Sequence, residues 1–152
     1  MNIYLDSCCL NRLGDDQSQP RVRAEAQAVG EILSFVLSHK IEWTGSAFVE
    51  FELGKNPDAT RRQNALDLLS LTTDTISPDR TTLERMIALR AVGYGTLDAM
   101  HLACAESAGV DVLLTTDDRF LRRAARGEGN PRVRVSNPID WLNEVLPWLL
   151  KK

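Results

Sequence analysis

The run Val110-Asp111-Val112-Leu113-Leu114-Thr115-Thr116 carries aliphatic side chains at nearly every position that is not its one acid or its threonine end. A strand with one wet face alternates polar and apolar residues. A strand without that alternation is buried on both faces, as in a parallel sheet covered by helices. A second short apolar run, Met1-Asn2-Ile3-Tyr4-Leu5, opens the chain. Between the two lie helical patterns: Val22, Ala26, Val29, Leu33 and Val36 recur at helical spacing, with Ile32 and Leu37 widening the stripe, which predicts a core-facing helix to about His39. The alternation of strands and helices predicts an α/β fold, a mainly parallel sheet with helices on both sides. The 152 residues, 43% of them hydrophobic, suit one domain over residues 1–152 with a single core.

Other elements follow from local signals. Ser7 to Asn11 reads as a short helix and Ile41-Glu42-Trp43-Thr44 as a short strand; Ser46 is placed to cap a helix carrying Phe48 to Leu53. Asn56-Pro57-Asp58 stops that helix and starts another, and Leu71 to Ile76 is a short extended piece. Thr81-Thr82-Leu83-Glu84 has the capping-box pattern, predicting a helix through Val92 that Gly93-Tyr94-Gly95 breaks. Leu97 to Ala105 is a helix of small residues able to lie close against a sheet; Val133-Arg134-Val135 is a last strand, and Asn137-Pro138 starts a final helix.

No apolar run approaches the roughly 20 residues that span a bilayer, and the N-terminus enters a strand directly. The expectation is a cytoplasmic protein with no membrane partner. Cys8, Cys9 and Cys104 have neither zinc-ligand spacing nor an even count, and read as reduced thiols. The carboxylate beside Cys8 and Cys9 would raise rather than lower a thiol pKa, so no nucleophile is expected there. Net charge is -3, but Arg119, Arg122, Arg123, Arg126, Arg132 and Arg134 crowd into one stretch.

Both apolar runs finish in carboxylates: Asp6 after the first, Asp117 and Asp118 after the second. In open parallel sheets, working groups sit just beyond the carboxyl ends of the strands. Glu50 or Glu52 near the start of one helix and Asp98 in the first turn of another add further acids. A charge in the Leu-Ala-Met-Cys helix is costly to bury without a partner. Acids converging at the strand ends would repel one another unless a divalent cation neutralised them. Oxygen ligands without a histidine cluster favour Mg²⁺ or Mn²⁺ over zinc. Such a site suits phosphodiester cleavage by activated water.

Four stretches resemble the acidic motifs of PIN-domain proteins: Tyr4-Leu5-Asp6-Ser7; Ser46 with Glu52 six residues on; Leu97-Asp98-Ala99-Met100-His101-Leu102-Ala103; and Leu114-Thr115-Thr116-Asp117-Asp118-Arg119-Phe120. They stand in the family's order across essentially the whole chain, most similar to the VapC-type toxins of bacterial toxin-antitoxin pairs. The resemblance implies a three-layer α/β/α fold and a Mg²⁺- or Mn²⁺-dependent endoribonuclease. It further implies an RNA substrate, a cognate antitoxin partner and a homodimer. Carried over residue by residue, Asp6, Glu52, Asp98 and Asp117 match the four acids, with Ser7 and Thr115 as hydroxyls that bond the acids or metal-bound water. A family glycine four residues after the second acid would instead select Glu50, before Gly54; the serine spacing favours Glu52.

Plainer roles compete at several positions. Asp118 reads as a solvated helix-start charge or as the holder of an outer water, Asn11 as a local cap, and His101 as a satisfied core histidine pairing locally with Asp98. Arg119, Arg122, Arg123 and Arg126 share a helix face beginning at Asp117. That face suits RNA phosphates, an acidic partner segment, or solvent alone. Trp141, Val145, Trp148 and Leu149 read as core or as a contact between two copies. The reading from a different class is a PIN-like module that binds RNA or protein without cutting.

Overall fold

The computed structural model describes residues 1–151. Its centre is a five-stranded sheet in the order β3-β2-β1-β4-β5, every pairing parallel. The strands are β1 (Asn2–Leu5), β2 (Glu42–Ser46), β3 (Asp74–Ile76), β4 (Val112–Leu114) and β5 (Arg134–Ser136). Around them lie α1 (Ser7–Arg12), α2 (Pro20–Leu37), α3 (Ala47–Leu53), α4 (Ala59–Leu68), α5 (Arg80–Ala91), α6 (Thr96–Ala108), α7 (Asp118–Ala125) and α8 (Pro138–Leu149). The chain steps outward from β1 to β2 to β3, then returns to place β4 on the other side of β1. Right-handed crossovers in opposite directions put helices on both faces, giving three layers. The reversal lies between β1 and β4, whose register pairs Leu5 with Leu114. Beyond the carboxyl ends of these two strands is the crevice where such sheets bind ligands.

The central strands are apolar for the reason their sequences give. Ile3, Tyr4, Leu5, Val112, Leu113 and Leu114 are all buried, as is the small-residue segment of α6 from Leu102 to Ala105. β4 is shorter than the aliphatic run suggests. Thr115 leaves regular pairing, yet its amide still donates to the Ser136 carbonyl at 3.0 Å. The cap of α5 also differs from expectation. Asp79 rather than Thr81 accepts from the Thr82 amide, and the Thr82 hydroxyl returns to the Asp79 amide. An aspartate offers the stronger acceptor to the free amides, so the helix starts at Arg80. Ser46 caps α3 as its position indicates, accepting from the Val49 amide. α8 packs on α2 through buried Trp141, Leu142 and Leu149, and leaves Trp148 64% exposed.

One feature carries no local sequence signal. Glu25 in the middle of α2 is wholly buried; Arg12 Nε at 3.0 Å and Asn137 Nδ2 at 2.7 Å satisfy its two oxygens, tying α1, α2 and α8 together. Gly109 ends α6 in the left-handed conformation at φ +67°, with open space where a Cβ would stand. Gly109→Ala therefore meets only backbone strain, and should cost about 1 kcal/mol, or roughly 2–4 °C in Tm by differential scanning calorimetry.

No helix among the described residues is long and apolar enough to cross a membrane.

Candidate active site

Asp6 is the first residue past β1 and the N-cap of α1, accepting from the Cys8 amide. Its amide donates to the Leu114 carbonyl at 3.0 Å, so the backbone at Asp6 is locked to β4. The Thr115 hydroxyl donates to Asp6 Oδ2 at 2.9 Å and accepts from the Asp117 amide at 3.2 Å. One hydroxyl thereby fixes the carboxylate of one strand end against the backbone of the other.

Glu52 reaches the same point from α3. Ser7 Oγ lies 2.8 Å from Glu52 Oε1 and 3.3 Å from Asp6 Oδ1, and His101 Nε2 contacts Glu52 Oε1 while standing 3.2 Å from Asp6 Oδ1. Burial favours the neutral form of Glu52, but hydrogen bonds from His101 and Ser7 outweigh it and hold the carboxyl below its ordinary range. Burial alone would lower the His101 pKa; Asp6 and Glu52 overcome it and raise it. Glu50 does not join this group. It is exposed and lines a separate hollow with Ser46, Leu66 and Thr75, because residues two apart leave an α-helix on different faces.

Asp98, in the first turn of α6, completes the acidic group electrostatically. Burial, then the charges of Asp6 and Asp117, push its carboxyl up to about 7, with Glu52 adding and His101 opposing. Asp117 is the N-cap of α7, accepting from the Arg119 and Phe120 amides. Together with Arg119 it lines a cleft with Asp98, and on its other side it lines a second cleft with Arg12 and Arg61.

Two carboxylates, Asp6 and Glu52, meet directly at His101, and Asp98 and Asp117 stand outside that tight group; the charge on Asp98 is opposed by Asp6 and Asp117 rather than offset. Oxygen-rich groups in that condition fit a hard divalent cation. Asp6, Glu52 and His101 each offer a ligand atom within 4.8 Å of the others.

The remaining expected residues divide. Asp118 is gripped by Arg21, whose two terminal nitrogens each lie 2.8 Å from one of its oxygens. Arg123 pairs with Glu128 at 2.6 Å and packs over the Tyr94 ring, and Arg126 stands 3.9 Å from the same glutamate. Arg119 and Arg122 are exposed and take no acid partner among the described residues. Asn11 borders both the cleft beside Arg12 and a hollow under Leu10 and Leu68. All three cysteines are free; burial pushes the Cys104 thiol up to about 11 and the Cys9 thiol well above its usual value.

His101 is a buried, satisfied histidine as the sequence suggests, but its partners are Tyr4, Glu52 and Asp6 rather than Asp98. The available signal was its position on α6, the helix of small residues read as lying close against the sheet. Nothing in the sequence pointed to Arg21 or Glu25.

Comparison with known proteins bears on fold and family. The family model described as "PIN domain" matches residues 3–126. Among solved structures, VapBC2 from Rickettsia felis, bound to a DNA fragment from its promoter, superposes with a TM-score of 0.57 at 13% identity; the match covers 90% of this chain and 98% of that one. PAE2754 from Pyrobaculum aerophilum superposes with a TM-score of 0.56 at 17% identity, covering 97% of this chain and 90% of that one. A search of curated proteins finds no significant match.

Proposed function

Because the chain belongs to the PIN domain family, we propose that it is a metal-dependent endoribonuclease that hydrolyses RNA phosphodiester bonds, acting as the toxin of a toxin-antitoxin pair. The observation that carries the enzymatic reading is the meeting of Asp6, Glu52 and His101, whose ligand atoms lie within 4.8 Å of one another beyond the strand ends. Asp98 carries a carboxyl pushed to about 7 by burial and by Asp6 and Asp117, at the crevice where the sheet reverses. Strongly shifted carboxyls cluster at functional sites. The likeness of fold to VapBC2 supports the toxin-antitoxin part of the reading and a separate antitoxin chain as partner.

When bound, Mg²⁺ or Mn²⁺ would activate water and neutralise charge at the scissile phosphate. Asp6, Glu52, Asp98 and Asp117 are the residues that would hold it. Thr115 orients Asp6 and Ser7 orients Glu52, so neither carboxylate has to be ordered when substrate arrives. Arg119, lining the cleft with Asp98 and Asp117, presents a guanidinium where the RNA backbone would enter. Arg123 and Arg126, already engaged by Glu128, serve that role less than Arg119 and Arg122. Of the C-terminal stripe Trp148 is 64% exposed, and a contact between two copies would use it.

The test is incubation of a mixed RNA pool with purified protein and Mg²⁺ or Mn²⁺, beside an EDTA control. Cleavage that EDTA stops is the expected result. Protein that binds the pool yet leaves it intact with either metal would replace the enzyme with the binding module. The same assay separates the two glutamates: Glu52→Gln should lower the rate by about tenfold or more, while Glu50→Gln stays within about twofold of wild type.

A further inference from the structure

His101 is 1% exposed, and both of its ring nitrogens are engaged. Nδ1 lies 2.8 Å from the Tyr4 hydroxyl, and that hydroxyl lies 2.8 Å from Ser46 Oγ. Ser46 Oγ in turn accepts from the Val49 amide at 3.1 Å, capping α3, the helix that carries Glu52. Nε2 contacts Glu52 itself. A closed circuit results, in which α3 is held at its first turn by Ser46 and at its functional carboxylate by His101, with Tyr4 on β1 joining the two. The ring is also packed between Tyr4 and Phe48, with centroids 5.6 and 4.9 Å away.

We propose that His101 is a positioning residue for Glu52: its Nε2, anchored through Nδ1, Tyr4 and Ser46, sets where the second carboxylate stands, and it is not itself a metal ligand. The inference rests on the reading of the acidic group as a divalent-metal site. Histidine as ligand is disfavoured by the same contacts. Nε2 lies against Glu52 as a donor to an acceptor, and this ring is buried under the acids while Asp98 and Asp117 open onto the cleft. The circuit works for either charge state of the ring. A neutral ring accepts from Tyr4, which accepts from Ser46; a charged ring donates to Tyr4, which donates to Ser46. Fixing a ligand's orientation through outer hydrogen bonds typically carries a 10–100-fold effect on metal affinity or activity.

Two substitutions, each keeping the reach of one ring nitrogen, separate the Glu52 contact from the Tyr4 contact. In glutamine the amide nitrogen stands three bonds from Cβ, as Nε2 does in histidine, so His101→Gln keeps a donor for Glu52. In asparagine the polar atoms stand two bonds from Cβ, matching Nδ1, so His101→Asn keeps Tyr4 and loses Glu52. Mn²⁺ affinity by isothermal titration calorimetry, read without RNA, is the primary measurement, with kcat and KM for RNA cleavage beside it. His101→Asn should weaken Mn²⁺ binding and lower kcat by about tenfold or more with KM little changed, whereas His101→Gln stays within about threefold. Tyr4→Phe should give a smaller loss, and combined with His101→Asn should add almost nothing, because both act through one circuit. Equal defects in His101→Gln and His101→Asn would overturn the proposal, as a metal-ligating histidine would give that result. So would wild-type Mn²⁺ binding in His101→Asn, or losses that add in the double variant. Should the wild type bind Mn²⁺ but never cut RNA, the nuclease reading fails, while the titrations still decide the role of His101.

Discussion

Asp98→Asn is expected to abolish metal-dependent RNA cleavage while making the metal-free protein more stable. The two effects have one cause. The Asp98 carboxyl is pushed up to about 7 by burial and by Asp6 and Asp117, so its ionised form is disfavoured in the folded chain. Asparagine keeps the shape and removes the charge, which relieves the repulsion and deletes a ligand together. A fall of at least about 100-fold in kcat/KM is expected, equivalent to roughly 3 kcal/mol of lost transition-state stabilisation. Thermal denaturation at pH 8 in EDTA, where wild-type Asp98 is ionised, should show the variant melting above wild type. An unchanged cleavage rate would remove Asp98 from the site; a lower Tm would mean that its charge is offset in the fold rather than strained.

The second large effect is the response of stability to metal and pH. A group whose folded pKa lies above its unfolded value stabilises the fold most below the unfolded pKa, and that contribution is lost as pH rises through the folded pKa. For Asp98 the window runs from about 3.8 to about 7; the raised pKa of His101 acts in the same sense above its ordinary value of 6.5. Glu52, held below its ordinary 4.5, titrates on the acid side of this range. The Tm of metal-free protein should therefore fall between pH 6 and pH 8. Mn²⁺ must displace a proton from Asp98 at pH 6 and none at pH 8, so the stabilisation it gives should grow across the same interval. At a hundredfold excess over Kd the gain is about 2.7 kcal/mol, or roughly 5–10 °C for a chain of this length. A Tm that ignores Mn²⁺ at pH 8 would contradict a carboxylate metal site.

Much of this arrangement was readable from residues. Asp6 and Asp117 end the two most apolar runs, and a parallel sheet has only one place for such ends. The choice of Glu52 over Glu50 was harder, because both lie on one short helix. The helix's rotation about its axis settles their placement: Glu52 turns toward Ser7 and His101, and Glu50 toward Thr75. The arginine row shows the same limit. Helical spacing groups Arg119, Arg122, Arg123 and Arg126, but Glu128, folding back after α7, takes up Arg123 and approaches Arg126.

Local sequence dictates the parallel sheet, the strand ends that carry Asp6 and Asp117, and the helix starts at Ser46 and Asn137. These follow from local rules: burial on both faces removes alternation, and a cap must be a short side chain that accepts. The Arg21–Asp118 clamp, the buried Glu25 with its partners on α1 and α8, and the path from Ser46 through Tyr4 and His101 to Glu52 arise only when the chain is folded. Each of these joins residues far apart in the chain, 97 positions for Tyr4 and His101. Their contact depends on strand order and crossover hand, and no local pattern encodes those.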